Sequence, residues 1–266
     1  MLTFIISIIS GYLIGHVVFM DHGAGWGITS GIIVLLIVQL ITGLILRRFV
    51  NAEQNKIQAI LMDAQNKVNR QITLFQRKSP GSERAARQIL EKIQSDATKK
   101  ALEATENFKK FYIWNFMLSR QINTMKMQLH FQLQNYKEVD RLLPKCTLLD
   151  QQSLAIKLVR MYRNNDEKIG KFYAGKCARL KGEAAAFLAC TYAWILLKKE
   201  QNDLAMEVLL AAKKKSDNEV LLENIDRLAN GKYKHFNNAG FGDLWYALGL
   251  EEPKVKAQRQ KMPRPF

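Results

Sequence analysis

The first 46 residues contain no lysine or arginine and a single acid, Asp21. All 40 basic side chains therefore lie beyond Leu46, where they face 23 acids and leave a net charge of +17. A segment so basic is drawn to anionic surfaces, whether lipid headgroups, nucleic acid or acidic protein. Cysteine is scarce: Cys146, Cys177 and Cys190 are widely spaced, with no CxxC and no histidine pair beside them. That pattern argues against a zinc site or a disulfide framework and for small packing residues in a reducing compartment. His130 and His235 are isolated, and the acids form no paired constellation. No catalytic residue set, cofactor or metal is therefore expected, and the chain reads as a binding protein rather than an enzyme.

One stretch invites a chemical reading. Gly170-Lys-Phe-Tyr-Ala-Gly175-Lys176-Cys177 has the spacing of a phosphate-binding loop except at its last position. Such a loop follows a strand and ends in a Ser or Thr hydroxyl; here the flanks read as helix and a thiol replaces the hydroxyl.

The uncharged beginning is explained by a membrane. Residues 2–20 and 28–46 are each nineteen mostly apolar residues. At about 1.5 Å per residue each spans about 28 Å, against roughly 30 Å of hydrocarbon. The turn between them, DHGAGWG, holds Trp26 where an interfacial aromatic belongs. A cleaved signal peptide is the alternative for residues 1–20, opposed by the lack of a basic n-region and of an A-x-A-like site. Arg47, Arg48, Lys56 and Lys67 follow the second run while the turn has no basic residue, which predicts both ends inside and the turn outside. Gly11-x-x-x-Gly15 and Gly27-x-x-x-Gly31 suit close helix approach, within the hairpin or between chains. His16, alone in the first span, is expected as a neutral imidazole hydrogen-bonded inside the hairpin.

Helical periodicity continues past the membrane. Ile57, Leu61, Ala64, Val68, Ile72 and Phe75 fall on one face before Ser79-Pro80-Gly81 breaks the helix. Ser82 and Glu83 restart it as an N-cap and a first-turn acid, with Ile89, Leu90, Ile93, Ala97, Ala101 and Phe108 on the next stripe. An antiparallel helical hairpin or a coiled-coil stalk fits both runs. The aromatic segment Phe108–Met117 is either core or, with Lys109 and Lys110, a membrane-surface element.

Four polar turn candidates recur beyond residue 120: Gln134-Asn135, Asn164-Asn165, Gln201-Asn202 and Asn230-Gly231. A period near 34 filled by two helices marks tetratricopeptide-type arrays. Residues 187–218 resemble that repeat most closely, with Tyr192, Ala193 and Leu196 in its first helix and Ala205, Leu209 and Ala212 in its second. Residues 133–150 resemble a turn and second helix through Tyr136, Val139, Leu143 and Cys146, although Pro144 must kink or shorten that helix. Two transmembrane helices followed by such repeats also resemble, in order alone, the HemY type of bacterial inner-membrane protein. The resemblance implies an integral protein of that membrane, and the placement of the basic residues puts its N- and C-termini in the cytoplasm.

The expected fold is thus all-α: a transmembrane hairpin (1–48), a hairpin or coiled-coil stalk (49–118), a TPR-like α-solenoid of about three helix pairs with a capping helix (119–250), and a basic disordered tail (251–266). The capping helix is read from Phe241, Leu244, Trp245 and Leu248 on one face. In the repeat family, ligands lie along the first helices. That implies a partner-binding groove at Phe187, Thr191, Trp194 and Lys198, the alternative for the two aromatics being helix-packing core. Basic residues nearby favour an acidic peptide or a C-terminal carboxylate. Residues 253–266 hold the basic tail side chains Lys254, Lys256, Arg259, Lys261 and Arg264 and no acid. They either stay solvated or bind lipid or nucleic acid. The expected function is a membrane-anchored scaffold for a protein partner, with a membrane-tethered nucleic-acid- or ribosome-associated binder as the alternative. Oligomerisation through the transmembrane hairpin or the stalk is open.

Overall fold

A computed structural model describes residues 2–77, 82–114 and 116–252. The five basic tail positions, Lys254 to Arg264, lie outside the described residues. Within them the chain is helical and has no strand. It divides into two compact units, Met1–Thr147 and Leu148–Phe266.

The first unit begins with α1 (Leu2–His22), turns at Gly23 with φ 85°, and continues as α2 (Ala24–Arg77). Both helices contain a stretch long and apolar enough to cross a bilayer, with mean hydropathy 2.0 and 2.5. Their contact is lined by small residues. A Cβ added to Gly11 would meet the Gly31 carbonyl oxygen at 2.7 Å, and one on Gly15 would meet that of Gly27 at 2.8 Å. The two GxxxG pairs therefore face each other within the hairpin, where only hydrogen fits. Thr3, Ser7 and Gly11 continue this stripe at steps of four, and the Ser7 hydroxyl bonds Gln39 Oε1 at 2.9 Å. His16 is displaced by the same register. It sits on the outer surface, 6.0 Å from the Tyr12 ring, and not inside the hairpin as the sequence suggested. The stripe at 3, 7, 11 and 15 takes the inner face, and residue 16 lies about 100° further round.

No break separates the apolar part of α2 from its polar part. Neither glycine nor proline occurs between Gly43 and Pro80, so one helix of 54 residues, about 80 Å, runs through the expected boundary at residue 48. α3 (Glu83–Ala104) is capped by Ser82, whose hydroxyl accepts from the Ala85 amide at 3.1 Å, and packs along the polar part of α2. Ile57, Ala64, Val68, Ala97 and Ala101 are buried. Ile72 and Ile89, expected on the same stripes, are 40% and 42% exposed, so the buried stripe stops short of these two positions.

A 3-10 segment (Thr105–Phe111) then leads into α4 (Phe116–Gln132) and the short α5 (Tyr136–Leu142). Phe108 is wholly buried in a core with Val50, Ile57, Ala101, Leu118, Ile122 and Leu129. This core ties α4 to α2 and α3, and the unit closes after Thr147, not near residue 118. α5 has only seven residues because Pro144 follows, and Leu143–Lys145 turns as 3-10 helix. Glu53 bonds Lys56 and Lys110, each at 3.2 Å, and these ammonium groups, Lys56 first, hold its carboxyl below the usual carboxylate range.

The second unit contains α6 (Gln151–Arg163), α7 (Ile169–Phe172) passing into a π-helical turn (Tyr173–Cys177), α8 (Gly182–Lys198), α9 (Asn202–Lys213), α10 (Glu219–Ala229) and the single turn α11 (Asp243–Tyr246). Left-handed residues stand at Gln134, Asn165, Glu200 and Gly231, just past the ends of α4, α6, α8 and α10. All four expected turns are therefore helix ends, the third falling one residue early. Ala193, Ala205 and Ala212 are buried, and α8 and α9 pack against each other.

Candidate functional site

α8 is the centre of the second unit. Every residue from Ala185 to Leu196 is buried. A helix apolar on all sides must be covered on all sides; of the four residues proposed for an open groove, Phe187 and Trp194 lie against the chain's own C-terminal segment, Thr191 is buried and Lys198 is exposed.

Phe187 is 1% exposed and meets Phe241 edge to face at 5.4 Å. Thr191 has no exposure, and its hydroxyl bonds back to the Phe187 carbonyl at 2.7 Å. Trp194 packs edge to face with Tyr162 at 5.9 Å and Trp245 at 5.8 Å. Its indole N–H donates to Glu251 Oε1 at 2.7 Å, while that of Trp245 donates to Oε2 at 3.0 Å. One carboxylate is thus held by two indoles. Lys198 is exposed, with Nζ 5.0 Å from the Trp194 ring centre. Arg163 donates to the Gly249 carbonyl at 2.9 Å. Of the residues read as groove, only Lys198 retains a solvent-facing part. The face of Phe187 and Trp194 is where the returning segment 236–251 lies, which is the packing alternative for these two aromatics.

A buried amide network fastens that segment. Asn224 on α10 and Asn238 are fully buried. The Asn224 amide donates to the Asn237 carbonyl and to Asn238 Oδ1, both at 3.0 Å, and its Oδ1 accepts from the Asn237 N–H at 3.0 Å. Asn238 Nδ2 donates in turn to the Cys190 carbonyl on α8 at 3.1 Å. These residues carry no local sequence signal, since their partners are 13 to 48 positions away. Glu251 was missed for the same reason. The expected capping helix is a single turn: Trp245 and Leu248 are buried, and Leu244 is 37% exposed.

The Gly170–Cys177 stretch is helical backbone, α then π, and Ala178 N–H bonds the Tyr173 carbonyl five residues back at 2.9 Å. Its π turn lines a cleft of about 250 Å³ with Tyr173, Cys177, Tyr192, Leu204, Val208 and Lys215. Tyr173 and Tyr192 stack there at 4.4 Å. Among the described residues no group of three or more His, Cys, Asp or Glu side chains is placed to hold a metal ion.

Burial pushes the Cys177 and Cys190 thiols up to about 12, and raises the Tyr173 and Tyr192 hydroxyls. A group whose folded value is raised contributes stability that is complete below its unfolded value and is lost as pH climbs toward the folded one. The urea midpoint of this unit should therefore be flat from neutrality to about pH 9 and fall above it. At about pH 8 an aromatic disulfide reagent should find these thiols only after unfolding. Prompt reaction of the folded chain would contradict their burial.

Compared with family models, with curated proteins and with solved structures, the chain matches none.

Proposed function

We propose that the chain is a membrane-anchored adaptor: α1 and the apolar part of α2 cross a bilayer, and the C-terminal, TPR-like helical unit recognises an acidic segment of a protein partner. The membrane part is supported by where the apolar surface lies. Only 17% of the apolar window of α1 and none of that of α2 is buried within the structure, so neither behaves as the core helix of a soluble protein. Large side chains such as Ile5, Leu13, Leu36 and Leu40 point outward, a surface that water does not tolerate over two helices. The basic residues after Leu46 favour cytosolic termini.

The observation that carries the recognition part is the Glu251 carboxylate held between the Trp194 and Trp245 indoles beside Lys198. A surface built to hold one acidic segment, its own, has the chemistry to hold another when that segment leaves. The net +17 would speed encounter with an acidic partner.

The test is photo-crosslinking in intact membranes from a reactive group at residue 198, comparing the native chain with Glu251→Lys. The reading expects a protein adduct that grows when the Glu251 contact is removed. Crosslinks to nucleic acid, lost steeply as salt rises, would replace this reading with that of a nucleic-acid binder. Adducts confined to residues 236–251 in both chains would also refute it.

A further inference from the structure

The start of α1 does not stand free. The Leu2 N–H donates to the Ile113 carbonyl at 3.1 Å, and the Thr3 hydroxyl donates to the Trp114 carbonyl at 3.2 Å. The turn that follows the 3-10 segment is thereby pinned beneath the first residue of α1. Its side chains divide sharply. Phe108, Phe111 and Tyr112 pack into the core, whereas Ile113 is 67%, Trp114 37% and Met117 50% exposed.

The length of α1 sets the height of this apolar group. Its 21 residues rise about 31 Å, the thickness of the hydrocarbon layer. With the Gly23 turn at one boundary, Leu2 lies at the other, and the carbonyls of Ile113 and Trp114 lie with it. The contact also answers a need of the bilayer, because the first amides of a helix have no partner inside the helix and are costly to leave bare near hydrocarbon. Charge is arranged around the same level. Ser7 pairs with Gln39 across the hairpin, so Arg47 and Arg48 on α2 stand about 6 Å beyond Thr3, where headgroups begin. Both arginines are exposed. Lys109 and Lys110 add little, since Glu106 and Glu53 pair with them.

We infer that Ile113, Trp114 and Met117 form a second membrane element, an interfacial anchor that enters the headgroup boundary at the cytosolic end of the hairpin, with Arg47 and Arg48 on lipid phosphate. The occupant of this apolar surface is the lipid of the bilayer that the hairpin crosses. An amphipathic aromatic beside arginines is the composition that such a boundary selects. The anchor fixes the depth of α1 and holds the core around Phe108 against the membrane. This inference rests on the membrane reading given above.

The two are separated by nitroxide labelling of the full chain in nanodiscs containing anionic lipid. Cysteines are placed singly by Ile8→Cys in α1, Ile113→Cys and Phe49→Cys at the boundary, and Leu149→Cys in the second unit; the unsubstituted chain, whose own cysteines are buried, is the blank. Collisions with oxygen, which concentrates in lipid, are compared with those of a water-soluble nickel chelate. Residue 113 should shift from the aqueous preference of residue 149 toward the oxygen preference of residue 8, and residue 49 should follow it. If residue 113 matches residue 149 while residue 8 prefers oxygen, the anchor is refuted and the spans stand. Should residue 113 exclude both reagents, a second copy of the chain covers it and the lipid assignment is wrong. An aqueous signal at residue 8 overturns the spans and the anchor together.

Discussion

Trp245→Ala should lower the stability of the second unit by about 3–5 kcal/mol. The indole is wholly buried, packs edge to face on Trp194 and donates to Glu251. Its removal leaves a large void and strips one of the two donors from a carboxylate that Trp194 alone then holds. A comparison inside the same turn sharpens the expectation. Leu244 precedes it and is 37% exposed, so Leu244→Ala should cost well under about 1 kcal/mol. Proteolytic protection of residues 148–252, followed across a urea series on the full chain in detergent, measures both. Equal costs for the two would mean that the segment after α10 does not lie on α8, and the site description would fall.

Phe108→Ala should destabilise the first unit by a similar amount, about 3–5 kcal/mol. Phe108 has no exposure and lies in a core that α2, α3 and α4 build together, so no single helix can shift to fill the space. The loss should be local to the packing of α4. The amides of α4 should exchange hydrogen faster, while the apolar half of α2, whose hydrogen bonds are internal to one helix, should keep its protection. An unchanged exchange rate in α4 would show that the aromatic segment is not core there.

Much of this architecture is legible residue by residue. Helix ends announce themselves through residues that accept a left-handed backbone, and Asn165 and Gly231 do so where a turn was expected. Ser82 caps α3 by a bond to a residue three positions on, which is local chemistry. Pro144 ends α5 for an equally local reason. The glycine pairs foretell a close helix contact, because only glycine allows it. The hydrophobic faces of α2 and α3 are legible near Ile57 and Ala101, but not at Ile72 and Ile89, where burial depends on neighbours remote in sequence.

Which face of α8 is open was not legible for a related reason. α8 is apolar from Ala185 to Leu196, so its pattern names no outer side, and Phe187 and Trp194 read equally well as groove or core. A helix without a polar face already implies full cover; what covers it is settled by Asn224, Asn237, Asn238 and Glu251, whose partners lie far along the chain.

By itself the sequence determines that the chain is helical, that its first 46 residues are uncharged but for Asp21 and sufficient for two spans, and where most helices stop, since each of these depends on neighbours within a turn or two. Only the tertiary structure decided that α4 belongs with the core of α2 and α3, and that residues 236–251 fold back over α8. These depend on contacts between residues tens of positions apart, whose free energy comes from shared burial and has no image in local pattern.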